Sequence, residues 1–310
     1  MMSPSQLEGR VRGRAGGMAP DGRIAARSSN WGRVWRRFLH HKVALMGVIV
    51  LTILALAAVF APLTTVGIDP YELHFDQIDA PPSRAHILGT DGIGRDVFAR
   101  LVYGARISLS IGIVVVGINM LIAIVIGGIS GYFGGIIDTI LQRFTEAMML
   151  FPSFLLILMV SAMLRPSIFN VMIVLGIFGW PGTSRLVRSL FLALRETDYV
   201  LAARTMGASW PRIIFRHILP GCLAPLIVSA TLGLAGAIMT ESTLSFLGLG
   251  VQEPVPSWGS MLQQAMQLPA LQFSPWLWIP PAVLISLTVL AVNFIGDGLR
   301  DAVDPTSFVR

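Results

Sequence analysis

The stretch LAARTMGASWPRIIFRHILP, Leu201 to Pro220, carries Arg204, Arg212, Arg216 and His217 between two apolar runs. Its punctuation predicts a helix, a turn and a second helix. Thr197 or Asp198 caps the first short helix, Gly207 supplies the left-handed residue that ends it, and Ser209 caps the second. Pro211 falls in the first turn of that second helix, where its missing N–H costs little. Trp210, Ile213, Ile214 and Ile218 then gather on one face, while Arg212 and Arg216 sit four apart on another. Such an amphipathic element suits a lipid headgroup layer or a groove on another protein, and spacing alone leaves both open.

The surroundings are those of a membrane protein. Of 310 residues, 54% are hydrophobic and 13% charged, and the mean hydropathy is +0.71; soluble domains are nearer ~25% charged. Apolar runs lie near Val43 to Leu63, Ile107 to Ile129, Met148 to Leu164, Ile168 to Trp180, Leu223 to Leu249 and Trp276 to Ile295. A hydrocarbon core of ~30 Å takes ~20 helical residues, so six spans are expected. Pro152, Pro166 and Pro181 interrupt the third and fourth. The first run starts about forty residues in and lacks a small-residue cleavage site, so it is read as a retained anchor and not a signal peptide.

Charge orients these spans. Eight arginines, from Arg10 to Arg37, and Lys42 precede the first span, against Glu8 and Asp21, which assigns this end to the cytoplasm. Thr64 to Ala105 carries Arg84, Arg95 and Arg100 against six acids and is expected outside. Arg185 to Pro220 carries six arginines against Glu196 and Asp198 and is expected inside. Gly250 to Pro275 has no Lys or Arg and is expected outside, which returns the tail from Arg300 to the cytoplasm. Met1 to Asn30, rich in Gly, Ser and Arg without hydrophobic periodicity, is expected to be largely disordered. The domain reading is a basic tail at 1–34, a first helix with an external segment at 35–105, a core at 106–298 containing the loop 196–220, and a tail at 299–310.

Several chemistries are excluded. Lys42 is the only lysine and Val43 follows it, so no G-x-x-x-x-G-K-[ST] phosphate loop exists. Cys222, the sole cysteine, permits neither an internal disulfide nor a cysteine metal cluster. His40, His41, His74, His86 and His217 show no H-E-x-x-H spacing, and no G-x-S-x-G elbow occurs. Neither a metal site nor a catalytic residue is expected. The arginines follow the membrane sides, which argues against nucleic acid as a partner.

Ala202, Ala203, Gly207, Leu219 and Pro220 keep a spacing that resembles the EAA loop of the membrane subunits of bacterial ABC importers. Leu201 stands at the position of the signature Glu, and His217 at a usual Ile. LGTDGIGRDVFARLVYGARISL (Leu88 to Leu109), ESTLSFLGLGVQEPVPSWGSML (Glu241 to Leu262) and NFIGDGLRDAVDP (Asn293 to Pro305) are similar to the C-type permeases of dipeptide, oligopeptide and nickel importers. The resemblance covers roughly Trp35 to Pro305. It implies an all-α integral membrane protein with six transmembrane helices in the type I importer permease fold, the last five forming the shared core. It implies a bacterial inner-membrane location, a second permease subunit, two ATPase subunits carrying ATP and Mg, and an extracytoplasmic substrate-binding protein. Residues Ala202, Ala203, Gly207, Arg212, Arg216, Leu219 and Pro220 would then form the coupling element that docks on an ATPase. Dipeptides or oligopeptides are the expected cargo, with nickel, glutathione or another small solute as the alternative. The competing class, an ion-gradient-driven secondary transporter, usually shows an internal repeat and midplane acids, neither of which is evident.

Three further features carry expectations. Glu241, an ionisable group within the fifth span, either lines the substrate pathway or bonds neighbouring helices. GTDGIGRD, Gly89 to Asp96, reads as an external structural turn. Gly127, Gly128, Gly131, Gly134 and Gly135 read as helix-packing positions, and Asp138, Arg143 and Glu146 as markers of a short cytoplasmic turn.

Overall fold

The computed structural model describes residues 30–65, 67–165 and 167–303. The expected disordered tail falls on residues 1–29, outside the described residues, and a helix already begins at Asn30. In chain order the helices are α1 (Asn30–His40), α2 (Lys42–Val59), α3 (Ala61–Thr64), α4 (Val97–Phe133), α5 (Gly135–Leu150), α6 (Ser153–Met163), α7 (Ile168–Phe178) and α8 (Trp180–Arg195). They continue as α9 (Asp198–Thr205), α10 (Trp210–Ile213), a π-turn (Ile214–Ile218), α11 (Leu219–Phe246), α12 (Trp258–Gln264), α13 (Leu268–Phe273) and α14 (Pro275–Val303). No strand occurs among the described residues.

Four helical stretches are long and apolar enough to cross a membrane: Lys42–Val59, Val97–Phe133, Trp210–Phe246 and Pro275–Val303. A fifth candidate is the pair α5 and α6, bent by 77° where Pro152 withholds an N–H from the helical ladder. The fourth expected span, Ile168 to Trp180, meets only the 11 residues of α7, about 16 Å at 1.5 Å per residue. Pro181 does not end this region: it sits in the first turn of α8, where proline is tolerated, so the chain proceeds directly from α7 through Gly179 into α8. Helix α4, with 37 residues, is about 55 Å long and reaches beyond a hydrocarbon core at both ends. Large apolar side chains such as Leu150, Met163 and Ile136 stand on the surface, as they do on helices solvated by lipid tails.

Helix α4 is the central post. It packs along α8 on one side and α11 on the other, while α2 lies against α14 at the periphery. Glycine permits the tightest of these approaches. A Cβ at Gly131 would stand 2.6 Å from Phe191 Cβ and 2.8 Å from the Arg188 carbonyl oxygen, and one at Gly127 would stand 2.8 Å from Val187 Cβ. Gly127, Gly128 and Gly131 are therefore the packing positions the sequence suggested. Gly134 and Gly135 act differently, with φ of 67° and 57°; between them the chain breaks from α4 into α5 without a loop. Asp138, Arg143 and Glu146 consequently lie on the 16-residue α5, not in the short turn expected for them.

Gly131→Val would drive side-chain atoms into the α8 backbone, where no rotamer change relieves the overlap. Overpacking of this kind costs ~1–3 kcal/mol or more. The expected outcome is reduced thermal stability of the purified protein in lipid nanodiscs; a melting temperature equal to that of the native chain contradicts this account of the α4–α8 contact.

Candidate functional site

The charged insert has the expected first helix and left-handed turn but not the expected side-chain cap. Helix α9 starts at Asp198 after Thr197, whose backbone is extended; the Thr197 hydroxyl donates to the Leu194 carbonyl at 2.6 Å and does not cap the helix end. At the other end Gly207 has φ +76°. The Gly207 N–H donates to the Arg204 carbonyl (3.0 Å) and the Ala208 N–H to the Ala203 carbonyl (3.1 Å). These two bonds are the Schellman pattern, in which a left-handed residue satisfies the last carbonyls of a helix.

Beyond Ser209 the structure departs from the expected separate second helix. Four residues of α10 pass into the π-turn and then into α11, so Trp210–Phe246 is one 37-residue helix. The widened turn precedes Pro220, which has no N–H to offer the Arg216 carbonyl; Leu219 donates to Ile214 instead. The insert is thus continuous with a membrane span.

One face of the insert is locked into the chain's own core. Val200, Ile213 and Ile218 are completely or almost completely buried, with Ile214 and Cys222, against Val187 and Phe191 of α8, and Ala203 is buried as well. Trp210 was expected on this face but is 54% exposed. It lies at the edge, its ring 5.8 Å from that of Phe133, because the turn at Gly207–Ser209 sets the start of α10 outside the packed layer. The Arg204 guanidinium lies 6.0 Å from the Tyr132 ring centroid, a cation–π distance. Arg195 donates to the carbonyls of Gly131 (3.2 Å) and Tyr132 (3.3 Å), placing a cation on the C-terminal end of α4. Together these contacts tie α9 and α10 rigidly to α4 and α8.

The opposite face is open. Ala202, Gly207, Arg212, Arg216 and Pro220 are exposed and Leu219 is half-buried; Met206 is 81% and Phe215 65% exposed. Of the seven residues expected to form the coupling element, Ala203 alone is buried, as the anchor beneath that surface. The surface mixes large apolar side chains with unneutralised guanidinium groups, a composition suited to an acidic, partly apolar groove on a protein.

Glu241 lies elsewhere, fully buried toward the far end of α11. It accepts hydrogen bonds from Ser245 (2.8 Å), Ser108 (3.2 Å) and Ser242 (3.4 Å). Ser108 belongs to α4, so of the two roles considered for Glu241 this geometry is that of a carboxylate joining helices. Glu241→Ala would leave those hydroxyls without their acceptor, a loss of ~1–3 kcal/mol for buried groups. A lowered unfolding temperature is expected; a transport defect with unchanged stability would instead point to the pathway role.

At the same end, GTDGIGRD folds as a structural turn. Asp91 accepts from the backbone N–H groups of Ile93 (3.1 Å) and Arg95 (2.9 Å), and Gly94 has φ +83° where a Cβ would strike the His74 backbone. Sequence reasoning missed what this turn presents. Arg95 pairs with Asp91 (2.8 Å) and with Glu253, and Arg100 Nη2 donates to Glu253 (2.9 Å). Burial opposes the Arg95 charge, but Glu253 and then Asp91 overcome that effect and raise its pKa above the usual arginine value. Glu253 is separated from both arginines by more than 150 residues, so no local pattern announced the cluster. It lines a cleft of about 770 Å³.

A bundle of apolar helices, strand-free among the described residues, with a charged insert at one end and a cleft at the other, fits a helical membrane permease. Residues 123–308 match the family described as binding-protein-dependent transport system inner membrane component, and residues 29–82 match the N-terminal transmembrane domain of oligopeptide transport permease C. The dipeptide transport system permease protein DppC of Alkalihalophilus pseudofirmus is 43% identical over 89% of this chain and 90% of its own. The oligopeptide transport system permease protein OppC of Bacillus subtilis is 40% identical over 89% and 90%, and the glutathione transport system permease protein GsiD of Pectobacterium atrosepticum is 41% identical over 89% and 91%. The chain belongs to the binding-protein-dependent permease family and is the permease subunit of an ABC importer.

Proposed function

We propose that this chain imports dipeptides or oligopeptides across the bacterial inner membrane, with both termini in the cytoplasm. The observation that carries the cargo assignment is the similarity, over nine-tenths of the chain, to permeases whose names specify dipeptide and oligopeptide transport. Glutathione is the second reading, favoured by the comparable similarity to a glutathione permease.

In this reading the chain pairs with a second permease and the cargo passes between the two. Two ATPase subunits bind ATP and Mg, and one of them receives the exposed face of α9 and α10. The chain itself catalyses no reaction. Because the docking face is backed by buried Val200, Ala203, Ile213 and Ile218, a push on it is delivered to α4, α8 and α11 and not absorbed locally. The continuity of α10 with α11 gives the movement a direct route along a membrane span. Closure of the ATPases on ATP would draw the coupling elements together and open the pathway outward, where a binding protein delivers cargo; hydrolysis would reset it.

The test is ATP-dependent uptake of a labelled dipeptide and a labelled longer peptide by cells with, without and complemented for this gene. Loss and rescue are expected. Unchanged uptake of both, in cells without another peptide importer, removes peptides as the cargo, and the same assay with labelled glutathione then decides the second reading.

A further inference from the structure

A second cleft, of about 220 Å³, lies between α4, α6, α7, α8 and α11. Its walls include Asn119, Ser153, Thr183, Ser229 and Thr240, and no ionisable side chain lines it. Thr240 donates to the Gly236 carbonyl at 2.8 Å. The other four side chains have no hydrogen bond within the described residues, and Asn119 Oδ1 is withdrawn from solvent without a partner. Such groups are costly where only lipid or apolar side chains surround them, yet four converge on one cavity. Nor is the cleft closed by packing. Gly233 and Gly236 of α11 line its open side and are exposed, and a Cβ at Gly236 would meet nothing within 4 Å. These glycines are not kept small by any neighbour in the chain.

We infer that this cleft is a hydrated subsite of the passage that holds the uncharged main-chain amides of the cargo. The inference rests on the peptide reading for its ligand, but not for its hydration. Asparagine and hydroxyl side chains both donate and accept, and each peptide unit offers one donor and one acceptor. The absence of charge in the walls disfavours the ionised termini and leaves them to other surfaces. The volume is below the ~300–1,000 Å³ of a complete small-molecule site, so the cleft takes a segment of the cargo while the rest faces the open side. A subsite that reads amides and ignores side chains tolerates many peptide sequences.

The test uses membrane vesicles carrying the complete transporter, with Gly233→Cys or Gly236→Cys in this chain. The native chain, whose only cysteine is buried, is the blank, and Ile113→Cys, at an exposed apolar position of α4, is the comparison. A charged, water-soluble methanethiosulfonate reagent should modify the two cleft thiols at least about tenfold faster than the Ile113→Cys thiol, because the thiolate reacts in water and not in hydrocarbon. Dialanine should slow that modification, and Asn119→Ala should weaken this protection without lowering the unprotected rate. Labelling no faster than at Ile113→Cys overturns the inference, as does fast labelling that dialanine leaves unchanged in a transporter that imports dialanine. If cells fail to import dialanine, the peptide reading falls, while fast labelling of the cleft thiols still supports a hydrated subsite.

Discussion

Gly207→Val is expected to weaken association of the ATPase subunit by roughly tenfold or more while membrane insertion and folding of the spans persist. Gly207 holds φ +76° with no atom near its missing Cβ, so space is not the obstacle; the backbone is. A non-glycine residue in the left-handed region costs ~1–2 kcal/mol, and a β-branched one more. Reverting to a right-handed φ would relieve that strain but break the bonds from Gly207 to Arg204 and from Ala208 to Ala203, swinging α10 away from α9. Either outcome disturbs the proposed docking face, and ~1.4 kcal/mol is a factor of ten in affinity. Asn, which tolerates this conformation, should restore most of the association. Co-purification of the ATPase with each variant is the measurement. Equal loss for Asn and Val would mean that the surface itself, and not the turn, is what the variants disturb; normal association for Val would remove the turn from the coupling mechanism.

Glu253→Ala is expected to lower stability by about 2–3 kcal/mol, somewhat less than the ~3–5 kcal/mol for breaking a fully buried ion pair. The discount reflects the Glu253 side chain, which is 44% exposed, whereas its Arg100 partner is 1% exposed. Without Glu253, Arg100 retains only a 3.6 Å approach to Asp91 and a 3.5 Å contact with the Pro70 carbonyl. Arg95 and Gln264 lose the same acceptor. The segment Gly248 to Ser257 would keep the backbone bonds from Gly248 to Ser245 and from Leu249 to Leu244 (3.0 Å each), the bond from the Val251 N–H to Ser245 Oγ (3.0 Å) and the Ser257–Ser260 capping box of α12, but would lose its ionic tie to α4. Thermal unfolding in nanodiscs should show a drop of several degrees and limited proteolysis should cut near residue 253. Glu253→Gln keeps the shape and one acceptor and should fall between. An unchanged melting temperature for Glu253→Ala would mean that Asp91 alone suffices for both arginines.

Much of this permease was written in local signals. Apolar runs announced α2, α4, α11 and α14, and Gly207 announced its turn, because each depends on residues within one helical turn or one membrane thickness. The family blocks carried the class of transporter. Where readings departed from the structure, the cause was how one helix joins the next. Trp210 satisfies the helical period of the buried face, but the turn before it places it at the edge. Pro181 read as an interruption of the fourth apolar run, yet it sits in the first turn of α8 and the chain runs straight on through Gly179. Asn119 was visible as an amide within an apolar run, and a search for polar residues in predicted spans would have found it.

Membrane class, family, main helices and the left-handed turn at Gly207 were all legible along the chain, since hydrophobicity, proline and glycine act through short-range sterics and solvation. Only the tertiary structure decided that Glu241 is held among Ser108, Ser242 and Ser245, that Glu253 joins Arg95 and Arg100, and that Asn119, Thr183 and Ser229 share one cleft. Those groupings bring together side chains from separate helices. Their partners are selected by how the helices pack, which no spacing along the chain encodes.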